Sequence, residues 1–117
     1  MMIQTKRIYE APSENDGKRI FVDRLWARGI KKEDAKIDLW LKEITPSNEL
    51  RKWYHEDIEN RWDEFQQRYK AELQSVQSQL AELKQLTNDE TVTLLTAAKN
   101  EGHNHVTVLI DVLATLK

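Results

Sequence analysis

Short apolar runs alternate along this chain with one long helical periodicity, and their order sets the expected architecture. Residues 7–10, RIYE, read as a short strand, and 19–26, RIFVDRLW, as a second. In the latter Ile20, Phe21 and Val22 are contiguous, the pattern of a strand buried on both faces. Between the two, APSENDGK carries Pro12, Ser13, Asn15 and the Asp16-Gly17 pair, which is turn chemistry. Over 31–44 the residues are good helix formers, yet Ile37, Leu39 and Leu41 alternate with Asp38, Trp40 and Lys42. That combination predicts a helical turn at KEDA and a strand over 37–43. Thr45-Pro46-Ser47 then breaks the run, with Ser47 placed to cap a helix over 48–55.

Asp57 is the expected cap of the longest helix. Ile58, Trp62, Phe65, Tyr69, Leu73, Val76, Leu80 and Leu83 recur at threes and fours, and no Gly or Pro interrupts 57–87. As one rod this segment would be about 46 Å long. A domain of this size has a radius of gyration of roughly 13 Å. A break near Gln74–Gln77 and a hairpin of two packed helices are therefore expected. The alternative is a protruding arm that pairs with another chain. Asn88-Asp89 reads as a turn, 91–97 as a β-branched buried strand, and 104–116 as an amphipathic final helix. The order predicts one α/β domain over 1–117, three-layer or α+β, with a small mixed sheet of about four strands packed by four to five helices.

Composition narrows the function classes. A chain of 117 residues with 39% hydrophobic and 32% charged residues fits a soluble globular domain with a modest core. No apolar run approaches a membrane span, and MMIQTKRIYE lacks the apolar stretch of a signal peptide. Cytoplasmic residence is the expectation. The absence of cysteine removes disulfides, thiolate nucleophiles and Cys-ligated metals. A net charge of −2 disfavours a general nucleic-acid partner. With only three glycines, Gly-rich phosphate cradles are excluded.

The remaining chemistry lies in three clusters. VDRLWARG places Asp23, Arg24, Trp26 and Arg28 at the end of a buried strand, where α/β proteins bind ligands. Guanidinium forks suit phosphate or carboxylate, whereas a purely structural latch would pair Asp23 with an arginine and stack Trp26 on it. EGHNHV offers His103, Asn104 and His105 at a helix start, with Asn104 equally suited to capping. Their spacing does not match the i, i+4 pair of zinc helices, so no metal is expected. TPSNELRKWYHE supplies Ser47, Arg51 and His55, the last two sharing a helix face.

The segments DGKRIFVDRLWARGI, DLWLKEITPSNELRKWYHED, RWDEFQQRYKAEL and VTLLTAAKNEGHNHVTVL, in that order, resemble the YeaO-like proteins, domain-of-unknown-function family 488. The resemblance covers nearly the whole chain. The family pattern V-D-R-L-W-P-R-G has Ala27 here instead of its proline and keeps Asp23, Arg24, Trp26, Arg28 and Gly29. The family's A-P-S is Thr45-Pro46-Ser47, and the tyrosine of its V-T-L-L-Y-x-A-K is Thr96. Its N-H-A is Asn104-His105-Val106, which favours His105 over His103. Members carry labels such as MarR-type regulator or uroporphyrin methyltransferase, but this chain has neither a winged helix-turn-helix pattern nor a glycine-rich methyl-donor loop.

The expected function is that of an enzyme or small-ligand domain with an anion pocket. Arg24, Arg28 and Arg51 would hold a phosphate or carboxylate, with Trp26 and Ser47 lining the pocket. Asp23 or His105 would act as acid or base, and Asn104 would orient. The alternative is a non-catalytic interaction or dimerisation module using 57–87. Either fits a monomer or a homodimer, with no cofactor specified.

Overall fold

The computed structural model describes residues 1–99 and 102–116. In chain order the elements are β1 (Ile3–Arg7), β2 (Lys18–Phe21), α1 (Lys32–Ala35), β3 (Leu39–Trp40), α2 (Asn48–His55), α3 (Ile58–Leu73), α4 (Gln77–Asp89), β4 (Val92–Thr96) and α5 (His105–Thr115), with short 3-10 turns at Glu14–Asp16, Lys42–Ile44 and Gln74–Val76. The sheet order is β1-β4-β2-β3, and every pairing is parallel. The α/β class is as expected, with a parallel sheet in place of a mixed one. The cause lies in residues 8–17, which carry the chain back to the amino end of β2 and leave a gap that β4 fills. Gly17 closes that return at φ +64°, where an added Cβ would lie 2.1 Å from the Thr91 carbonyl oxygen.

Alternation along the central strands separates two cores. Ile20 and Leu94 are register partners, and with Val22 and Val92 they face the helices. Against them pack Phe65, Tyr69 and Leu73 of α3, Leu80 and Leu83 of α4, and Val106, Leu109 and Leu113 of α5. Phe21 and Leu95, the next register pair, face the other way onto Ile8, Ala27 and Ala35, with Trp26 and Trp40 at the margin. The residues that read as continuous apolar runs are thus shared between two faces.

Four elements, β1, β2, β3 and α4, have bounds that differ from the sequence reading. β1 lies at Ile3–Arg7 rather than 7–10, because Glu10 folds back: its carboxylate accepts from Arg7 N (2.7 Å) and its N–H donates to Arg7 O (3.0 Å). β2 stops at Phe21 and β3 is only Leu39–Trp40. There the Asp38 carboxylate takes the Arg19 N–H at 2.8 Å, and the chain turns into the Lys42–Ile44 turn. The helix expected to stop before Asn88 continues through Asp89, whose side chain accepts from Gln85 (3.1 Å).

The long helical segment breaks where expected, at Gln74–Val76. The Ser75 hydroxyl donates to the Glu72 carbonyl (2.9 Å), a side-chain bond that competes with the helical ladder. Instead of folding back as a hairpin, α3 packs on α2 and α5, while α4 lies against the Lys42–Ile44 turn. The bend keeps the molecule within 37 × 37 × 21 Å, shorter than one straight rod.

Candidate functional site

The carboxyl ends of β2 and β4 meet the start of α5, and Asp23 of the VDRLWARG segment meets His105 of GHNHV there. Asp23 follows directly on β2's buried run, so its side chain is only 16% exposed. Its Oδ1 accepts from the Thr96 hydroxyl (2.6 Å) and lies 3.0 Å from His105 Nε2. Its Oδ2 accepts from the Ala97 N–H at 2.8 Å. Burial alone would raise this carboxyl's pKa, but His105, Thr96 and the Ala97 amide outweigh it and hold the pKa below the usual value. His105 Nε2 also lies 2.6 Å from the Val22 carbonyl oxygen. With the Val22 carbonyl and the ionised Asp23 carboxylate as its neighbours, both acceptors, Nε2 carries a hydrogen in this arrangement. Asn104 caps α5, its side chain accepting from Val106 N (2.8 Å) and Thr107 N (3.1 Å). That cap fixes where His105 enters the corner.

Beside this dyad, Arg51 and His55 project from α2, one helical turn apart. Burial lowers the His55 pKa, and the nearby charges of Arg51 and His105 lower it further. Arg51 Nε is buried and makes no hydrogen bond, alone in this among the side-chain atoms described. The loop before α5 is held by Tyr54, whose hydroxyl donates to the His103 carbonyl (2.6 Å), and His103 stacks on Trp62 with centroids 4.6 Å apart. Burial pushes the Tyr54 phenol up to about 12, which keeps it a donor at neutral pH.

The other candidate residues lie elsewhere. Arg24 turns toward the start of α2, its Nε donating to Pro46 O (2.9 Å) and its Nη2 to Thr45 O (3.3 Å). With Ser47 it lines a cleft of about 320 Å³, beside Glu43 and Glu72. Ser47 caps α2 through Leu50 N (3.2 Å) and gives its own hydroxyl and N–H to Glu72 at 2.6 and 2.8 Å. Trp26 packs on the opposite face of the sheet, 4.9 Å from the Phe21 ring and 5.4 Å from Trp40. Its indole N–H donates to Ile30 O (2.8 Å), so it does not stack on an arginine. Arg28 is exposed, and its carbonyl accepts from the Tyr9 hydroxyl at 2.8 Å. Asp23 and His105 therefore meet in one corner with His55 of α2 nearby, Arg51 lies one turn before His55 on that helix, a separate cleft holds Arg24 and Ser47, and Trp26 and Arg28 stand apart.

The family model described as the inactive DUF488-N3 subclade matches residues 2–116. The chain belongs to the DUF488 family. Within DUF488 it is 46% identical to the uncharacterised protein YeaO of Escherichia coli K12, over 99% of this chain and all of that one. It is 42% identical to the uncharacterised protein Rv3073c of Mycobacterium tuberculosis, over 95% of this chain and 92% of the relative. No solved structure matches. Among the described residues no helix is long and apolar enough to cross a membrane, and no cluster of His and carboxylate side chains is placed to hold a metal.

Sequence reasoning passed over Thr96, whose hydroxyl occupies the position where the family pattern has a phenol and bonds the Asp23 carboxylate. It also passed over Glu72, the anchor of Ser47, and the buried pair Asp16–Arg19 at 2.5 Å. For the last a signal existed: an arginine inside a run as apolar as RIFV requires a buried partner.

Proposed function

We propose that this DUF488 chain binds a small phosphate- or carboxylate-bearing molecule without turning it over, using the corner formed by Arg51, His55 and His105. The observation that carries the reading is Arg51 Nε, buried near the His55 imidazole with no acceptor of its own. A buried guanidinium N–H without a partner is costly, and an anionic oxygen would satisfy it. Asp23 and His105 hold the corner rigid in this reading: both Asp23 oxygens are engaged, and His105 Nε2 faces two acceptors. The description of the matching subclade as inactive supports binding without catalysis. Arg24, Ser47 and Asn104 support the corner by fixing the starts of α2 and α5. A cytoplasmic setting and a monomeric or homodimeric state complete the proposal.

An interaction module built on 57–87 has less support. The exposed large apolar residues described are Met1, Met2, Tyr9, Leu25 and Leu39, all outside that segment. Thermal denaturation in rising inorganic phosphate tests the reading, because a ligand of the folded state raises the midpoint by mass action. The wild-type midpoint should climb with phosphate. Arg51→Met should weaken binding by about tenfold, the scale of one charge-assisted bond. Equal climbs for both proteins would contradict the proposal.

A further inference from the structure

We infer that the free edge of β1 and the cleft beside it form a docking site for a short extended peptide carrying an acidic side chain. This site adjoins the anion corner, sharing Thr96 and Asn104 in its lining, and does not depend on it. β1 is the outer strand of the sheet. Val92 N donates to Met2 O and Ile8 N to Thr96 O, both at 2.9 Å. The even-numbered residues of this segment therefore bond β4, and the backbone groups of Ile3, Thr5 and Arg7 point away from the sheet. Those of Arg7 are closed by Glu10, whose carboxylate accepts from Arg7 N and whose N–H donates to Arg7 O. No described residue hydrogen-bonds the outward groups of Ile3 and Thr5. Such an edge is a template for one more strand.

The cleft explains what such a strand would carry. It has a volume of about 420 Å³ and runs between β1 and the first half of α5, with Thr5, Lys6, Arg7, Glu10, Val106 and Ile110 in its lining. Thr5 is the register partner of Leu94, which faces the helices, so side chains on that face of an added strand would enter the cleft. Val106 and Ile110 offer apolar contact along its wall. At its end the Arg7 guanidinium is fixed by Nε to Ala98 O (3.2 Å) and Nη2 to Ala97 O (3.1 Å). No described carboxylate forms an ion pair with it. A held, unneutralised guanidinium beside an apolar wall selects an acidic side chain next to apolar ones. Glu10 limits the partner to a short segment by blocking the carboxyl end of the edge.

The test uses the full chain and a fluorescent pentapeptide, acetyl-Val-Thr-Val-Asp-Val-amide, followed by anisotropy, with a version carrying Lys for Asp as control. The acidic peptide should bind and the lysine version should bind roughly tenfold more weakly, as should the acidic peptide to Arg7→Met. Thr5→Pro should abolish binding, since it removes an outward N–H and leaves the bonds to β4 intact. Hydrogen exchange on the wild-type chain provides the readout that does not depend on a variant folding. The Ile3 and Thr5 amides should exchange freely alone and become protected with the peptide. Failure of the peptide to bind would overturn the inference, as would unchanged exchange at Ile3 and Thr5. Competition by free succinate as effective as the peptide would equally overturn it, and would mark a small-molecule cleft instead.

Discussion

Asp23 is the residue on which the corner turns, and its electrostatics give the first prediction. Its pKa is lowered in the folded chain, so it contributes stability above the unfolded carboxylate value of about 3.9, and that stability is lost as pH falls through the folded value. Asp16 acts in the same direction: burial raises its pKa, but the Ser13 amide, Lys6 and Arg19 together lower it. His55, also lowered, adds a shallower loss that begins as pH drops below its unfolded value of about 6.5. The melting temperature should therefore decline gently from pH 7 and steeply below about pH 4. Asp23→Asn should flatten the steep arm, and a steep arm unchanged in that variant would contradict the assignment. On the far side of β2, Arg19 is buried and donates to Asp16 (2.5 Å) and twice to Ala35 O. Arg19→Met should cost about 3–5 kcal/mol in urea unfolding, because Asp16 loses a buried partner. A loss below about 1 kcal/mol would mean that Lys6, at 3.2 Å, compensates.

Helix starts and breaks were the most legible elements, because their signals are local. Ser47, Asn104 and the KEDA turn stand where residue chemistry put them, and the long helix breaks at the expected Gln74–Val76. Among the strands only the extent of β4, Val92–Thr96 against an expected 91–97, was legible. Whether RIYE or IQTKR pairs depends on Glu10 turning back onto the Arg7 N–H, and where 37–43 begins pairing on Asp38 taking the N–H of the distant Arg19. Parallel pairing was likewise invisible, since β4 enters between strands already made. The site was half legible: Asp23 and His105 meet, while Thr96, the partner that aims Asp23, lies far along the chain. Ser47 gives the element-scale prediction. Ser47→Ala removes both the cap of α2 and the hydroxyl held by Glu72, and should cost about 1–2 kcal/mol in chemical unfolding. If α2 instead depends on its packing alone, the loss will be close to zero.

At the scale of the whole molecule, a parallel sheet directs the carboxyl ends of its strands to one edge, and α5 starts at that edge. This places the Asp23–His105 contact and the cap of α5 in one corner, with His55 of α2 within electrostatic reach of His105. The second core on the other face, built on Phe21, Trp26 and Trp40, holds the return of VDRLWARG in place and takes Trp26 out of the site. We propose above all that the corner holds an anion through Arg51. The most direct measurement is an NMR titration of the full chain with sodium sulfate, whose charge is constant across neutral pH. Expected are saturable shifts at the Arg51 Nε–H and at the His55 and His105 rings, tighter binding as pH falls and His55 gains its proton, and no such response in Arg51→Met. Shifts scattered over the surface lysines, or none at Arg51, would contradict it.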